Sequence, residues 1–141
     1  MQRLLNTVLC TAALFTATCA SASAATLTIE VGDLKLAGGN VMVAVYDSSG
    51  QFLKKPAVAG SAAAELTGNI VRFLDLPEGE YAVAVYHDAN GNGKMDSNLM
   101  GIPTEDYAFS NNAVGKMAPP SYEQAKFALP AAGATVRLSL K

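Results

Sequence analysis

Tryptophan is absent from this chain, histidine occurs once and cysteine twice in 141 residues, and each scarcity removes a class of function. Both cysteines, Cys10 and Cys19, lie in or beside an uncharged, largely apolar run over residues 4–20 that follows Arg3. A basic residue, a short apolar stretch and the small-x-small sequence Ala22-Ser23-Ala24 form the pattern of a secretory signal peptide, residues 1–24, with the expected cut before Ala25. The run is shorter than the roughly 20 apolar residues of a membrane anchor. Thr16, three positions before Cys19, is not the leucine-like residue that a lipid-attachment site favours. The expected mature chain, residues 25–141, is a single domain, exported to the periplasm or secreted, with no disulfide, no cysteine metal ligand and no thiol nucleophile.

Charge is sparse too. With Arg3 in the leader, nine basic residues stand against twelve acidic ones in residues 25–141, a net charge of minus three. That leaves no footprint for nucleic acid or for an anionic membrane. No phosphate-cradling glycine loop, cofactor fingerprint or nucleophile-elbow pattern is present. A chain of this size buries about 65% of its unfolded surface, enough for one core held by packing alone.

What the chain does have is alternation. Residues 26–31, 40–46, 69–74, 80–87 and 135–140 repeat apolar side chains with period two and read as strands. Turn residues separate them: Gly38-Gly39-Asn40, Asp47-Ser48-Ser49-Gly50, Pro77-Glu78-Gly79 and Ala132-Gly133. Weaker strand signals at 62–67 and 126–129 raise the count to about seven, which predicts an all-β, immunoglobulin-like Greek-key β-sandwich. Residues 57–65 are also compatible with a short helical turn, interrupted by Gly60 and Ser61.

Val43-Ala-Val-Tyr46 and Val83-Ala-Val-Tyr86 are near copies and read as central strands. Val41, Val43 and Val45 share one face, as do Tyr81, Val83 and Val85, and these faces are expected to line the core. The opposite faces, with Met42, Ala44, Tyr46, Ala82, Ala84 and Tyr86, are apolar as well. The expectation is that the long excursions at 50–64 and 97–125 cover them, because large apolar patches are uncommon on monomers. In Leu74-Asp-Leu-Pro77-Glu-Gly79-Glu-Tyr81, Pro77 fixes φ at a tight turn, Gly79 is free to take positive φ, and Tyr81 opens the next strand. This is the arrangement of a tyrosine corner, so Tyr81 is read as structural.

The chemistry is concentrated just beyond the second of these strands, in Asp88-Ala-Asn90-Gly-Asn92-Gly93-Lys94-Met-Asp96. Oxygen-bearing residues at positions one, three and five with glycine at six are the first half of an EF-hand-type calcium loop, and Lys94 would contribute its carbonyl at position seven and Asp96 at nine. Position twelve is Leu99, so the bidentate glutamate is missing; Asn98, Glu105 or Asp106 would have to replace it. So few charges predict an affinity on the order of 0.1–1 mM. Aspartate, asparagine and glycine also make turns without any ion. His87 beside Asp88 and Glu105 offers a third reading, a small metal-assisted hydrolase, although zinc sites usually contain more nitrogen or sulfur.

The order Val45-Tyr46-Asp47, Leu76-Pro-x-Gly79-x-Tyr81-Ala-Val83, His87-Asp88-x-Asn90-Gly-Asn92-Gly93-x-x-Asp96, Gly101-Ile-Pro103-x-Glu105, Phe109-Ser-Asn-Asn112 and Pro119-Pro-Ser-Tyr-Glu-x-Ala-x-Phe127 resembles the bacterial family called domain of unknown function 2141, DUF2141. The resemblance spans nearly the whole of residues 25–141. It implies an exported β-sandwich of transthyretin-like or immunoglobulin-like type and no agreed activity. It also implies a polar cluster of Asp88, Asn90, Asn92, Asp96 and Glu105, which makes Glu105 the preferred substitute for the missing twelfth ligand. Ala108 departs from the glycine that the family tends to carry before Phe-Ser. The reading that results is a calcium-stabilised extracytoplasmic binding module for an unknown ligand or protein, with the hydrolase and an ion-free structural protein as its alternatives.

Overall fold

A computed structural model describes residues 24–141, so the expected leader lies outside the described residues. Alternation is converted into strands almost wherever it occurs: β1 (Ala24–Gly32), β2 (Asn40–Tyr46), β3 (Val58–Ala63), β4 (Asn69–Pro77), β5 (Gly79–Asp88), β6 (Tyr107–Phe109), β7 (Phe127–Leu129) and β8 (Ala134–Ser139). The strands form two sheets. One has the order β4-β1-β8, the other β3-β2-β5-β6 with β7 pairing β5 further along. β1 and β8 run parallel, and every other pair is antiparallel.

The eight strands are one more than expected, and the difference lies in short segments. β6 has three residues and carries no periodic signal; it exists because Ala108 pairs with Val85 on β5. The third strand occupies 58–63 rather than 62–67, and no helical turn forms at 57–65. Gly60 suits that placement: a Cβ there would meet the Phe73 ring at 3.1 Å and Val71 at 3.2 Å, so a side chain would have to press these neighbours back.

The core lies between the sheets and follows the parity of the strands. Leu27, Ile29 and Val31 from β1, and Val71 and Phe73 from β4, meet Val41, Val43 and Val45 from β2 and Tyr81, Val83 and Val85 from β5. Ala108, the departure from the family pattern, is buried in this cluster, so its methyl fills core space. The outer face of β2 and β5 is covered from within the chain. Phe52, from the loop after β2, and Phe109, Tyr122 and Ala125 pack on Tyr46 and Ala82, with Phe52 edge-on to Tyr46 at 5.2 Å and to Tyr122 at 5.8 Å.

The tyrosine corner is present, with the Tyr81 hydroxyl donating to the Pro77 carbonyl at 2.9 Å. Burial raises the phenol's pKa, and Asp47 adds to the rise. Gly79 does not take positive φ; it is already the first residue of β5, paired with Leu129. The left-handed residue of this region is Asp75, at φ 59°, on the stretch of β4 where the register against β1 slips between Ala25 and Leu27.

Candidate functional site

The end of β5 places two adjacent polar residues on opposite faces of the sheet, as strand alternation requires. His87 continues the core-facing row of Val83 and Val85, is 5% exposed, and bonds through Nε2 to the Gly38 carbonyl at 2.7 Å. Asp88 continues the row of Ala84 and Tyr86 and is 1% exposed. Burial raises the Tyr86 phenol, with the Asp88 and Glu105 carboxylates adding to the effect. The turn before β2 is docked against this strand end: Gly39 has φ 70°, and a Cβ on it would fall 2.1 Å from the Asp88 carbonyl oxygen.

Asp88 organises the loop beyond β5. Its Oδ1 accepts the Asn92 N–H at 3.0 Å and its Oδ2 the Gly93 N–H at 2.8 Å, so one buried carboxylate folds the chain back on itself. Gly91 at φ 70° and Gly93 at φ 74° supply the left-handed residues the reversal needs. Asn90 and Asn92 add Asx turns, Asn90 Oδ1 accepting from Asn92 N–H at 3.1 Å and Asn92 Oδ1 from Lys94 N–H at 2.8 Å. Lys94 thus enters through its N–H. The carboxamides of Asn90 and Asn92 both donate to the Asp96 carboxylate, at 2.6 Å and 3.0 Å.

Glu105 closes the loop from outside. Its Oε1 accepts Ala89 N–H at 3.2 Å and its Oε2 accepts Asp96 N–H at 3.0 Å, joining the two ends of the turn. It reaches them because residues 96–104 form a small hairpin, held by Thr104 N–H to the Asp96 carbonyl at 2.9 Å, a bridge between Ser97 and Pro103, and Asn98 N–H to the Ile102 carbonyl at 2.9 Å. Asp88, Asn90, Asn92, Lys94, Asp96 and Glu105 are therefore brought together. Asp106 is not in the cluster, since it pairs with Lys35 at 2.7 Å, and Asn98 is spent on the hairpin turn.

The chemistry of the cluster has a definite direction. Amide nitrogens, not oxygens, face Asp96, so a cation between these residues would require both carboxamides to turn over and present their oxygens. Among the described residues, no three or more His, Cys, Asp or Glu side chains are grouped so that they could hold a metal ion. His87, Asp88 and Glu105 do not converge, because the strand places His87 on the other face.

A second polar centre has no counterpart among the sequence expectations. Ser110 is fully buried; its Oγ accepts Val83 N–H at 2.8 Å and donates to the Ala125 carbonyl at 2.5 Å. Asn111, left-handed at φ 60°, donates from its carboxamide to the Lys126 carbonyl at 2.7 Å. A short helix, α1 (Tyr122–Ala125), opens with a capping box between Ser121 and Gln124. These contacts tie the 97–125 excursion onto β5. The Phe-Ser-Asn-Asn motif is the signal for this centre in the sequence, and it marks a fastening point in the fold.

An all-β sandwich with an Asx-rich loop clamped by a distant glutamate defines the structural class. The chain belongs to the family described as "Uncharacterized protein conserved in bacteria (DUF2141)", which matches residues 29–137. No curated protein and no solved structure matches it.

Proposed function

We infer that the protein is an extracytoplasmic binding module, stabilised by calcium in the 88–96 loop, and not a hydrolase. The observation that carries this reading is the position of Glu105, whose carboxylate spans Ala89 and Asp96, the two ends of a loop that lacks its twelfth-position ligand. Asp88 and Asp96 belong to the loop that Glu105 joins through its backbone, and the carboxamides of Asn90 and Asn92 offer oxygens once rotated. Hard oxygen donors of this kind suit calcium better than zinc. In 10 mM calcium, a dissociation constant on the order of 0.1–1 mM stabilises the fold by about 1.4–2.7 kcal/mol. The melting temperature should then exceed that in chelator by about 5–10 °C. Glu105→Gln should abolish most of that difference.

A specific observation favours one rival. The N–H groups of Asn92, Gly93, Lys94 and Asp96 and both asparagine carboxamides already have acceptors within the cluster, so the loop closes as a hydrogen-bonded clasp without an ion. Equal melting temperatures in calcium and chelator select that reading. Zinc or manganese in protein purified from its native compartment would revive the hydrolase.

A further inference from the structure

Among the strand edges that the two sheets leave open, β3 is the one without protection. β4 slips register against β1, holds Arg72 and Asp75 and ends at Pro77. β8 is packed beside the 3₁₀ turn Ser110–Asn112, and just past it Lys141 exchanges backbone hydrogen bonds with Tyr107 of β6, at 3.3 Å and 3.4 Å. β7 has three residues and runs into Pro130. β3 consists of Val-Ala-Gly-Ser-Ala-Ala, with no charge, no proline and an unbroken register against β2. Charges, prolines, bulges, covering segments and shortness are what keep an edge from pairing with another chain, and an edge that lacks them all is free to pair.

Which of its backbone groups point outward follows from alternation. In an antiparallel ladder the N–H and C=O of one residue point the same way, and those of the next residue point the opposite way. His87 N–H donates to the Asp106 carbonyl at 2.9 Å and Val83 N–H to Ser110 Oγ at 2.8 Å, so these residues face the β6 side and Ala84 and Tyr86 face β2. With Tyr86 opposite Met42 and Val43 opposite Gly60, the residues of β3 that bond β2 are Val58, Gly60 and Ala62. Ala59, Ser61 and Ala63 therefore turn their donors and acceptors to the open side, and all three residues are exposed.

We propose that β3 pairs antiparallel with the β3 of a second copy of this chain, about a two-fold axis at Ser61. That axis sets Ser61 opposite itself and Ala59 opposite Ala63, so every outward donor of one copy meets an outward acceptor of the other. Methyl and hydroxymethyl side chains at these positions let the two backbones approach. Charge fixes the direction. Lys54 and Lys55 precede β3 and Glu65 follows it, and among the described residues neither Lys55 nor Glu65 forms an ion pair. Antiparallel pairing makes Lys55 of one copy the diagonal neighbour of Glu65 of the other, within reach of a long side chain, whereas parallel pairing sets lysine beside lysine. An extended segment of another protein would meet the same ladder, but the ends of β3 supply their own complement. Two-fold pairing uses up both open edges, so the assembly closes at a dimer. An interface one strand long, about 20 Å, is small, and its association is weak. The proposal rests on β3 and is independent of the 88–96 loop.

The full chain, purified as the cell processes it and held in chelator, is followed by sedimentation equilibrium from about 1 µM to about 1 mM, where weak association is read. It should pass from monomer to dimer. Ser61→Lys sets like charges opposite each other on the axis and should weaken dimerisation about tenfold or more. Ser61→Cys places two thiols across the axis, with Cα atoms about 5.5 Å apart, while Ala59→Cys sets them about 14 Å apart, four residues along the strand. A bifunctional thiol reagent of intermediate reach should link the first variant as a dimer and leave the second unlinked, with the parent chain as the blank for Cys10 and Cys19. Matching melting temperatures at the lowest concentration establish that the variants fold. A monomer throughout the range overturns the proposal, as does a dimer that withstands Ser61→Lys or equal linking at positions 59 and 61. A chain that stays monomeric while another protein protects its β3 amides from hydrogen exchange overturns it too, and assigns the edge to that partner.

Discussion

The two Val-Ala-Val-Tyr strands lie side by side, Val43 opposite Val85 and Val45 opposite Val83, but the loops that leave them behave in opposite ways. The loop after β2 turns back and lays Phe52 on the sheet, where it is 9% exposed. The segment after β5 turns away, closes on its own polar side chains and holds Leu99 in solvent. Near-identical strands therefore do not dictate the course of the chain beyond them. The first loop places an aromatic ring over the outward side chain of the strand it has just left, Tyr46. The second begins with a buried carboxylate that binds the backbone four and five residues ahead, which steers the chain outward before any apolar residue can return.

Substitutions that separate these behaviours differ in size. Phe52→Ala removes the ring shared by Tyr46, Phe109 and Tyr122 and should cost about 3–4 kcal/mol, measured as a lower denaturant midpoint with an unchanged slope. A loss below about 1 kcal/mol would mean that the outer face needs no cover and that the comparison fails. Asp88→Ala removes the acceptor of two loop amides and should cost about 2 kcal/mol, with faster hydrogen exchange confined to residues 89–96. Exchange that spreads through β5 would show that the loop and the strand are one unit. Leu99→Ser should stay within about 0.5 kcal/mol of the parent, since the side chain touches nothing it stabilises; a larger loss would place Leu99 with Phe52 as a residue that holds the fold.

Legibility scales with pattern length. Residues 40–46 are readable to the end of the strand because seven residues of alternation leave one arrangement that buries Val41, Val43 and Val45. The third strand lies four residues before its expected start, since Val-Ala-Gly-Ser-Ala-Ala carries almost no alternation and its position is that of its pairing with β2, Val43 opposite Gly60. Of the candidate site, the 88–96 turn is visible in its spacing, while the convergence of Glu105 is expected from the family pattern alone and is achieved by the hairpin at 96–104. That hairpin has a signal, asparagine and glycine three apart at Asn98 and Gly101, that suits a type I turn.

The sequence by itself determined the strands with sustained alternation, their buried faces, the tyrosine corner and the turn at Asp88, because each depends on neighbours within about ten residues and on period-two alternation. Only the tertiary structure decided that His87 and Asp88 serve opposite faces in different contacts, that Ser110 fastens the long excursion to β5, and that Leu99 and Met100 project. Those outcomes depend on which backbone groups far apart in the chain must satisfy one another once the two sheets have packed.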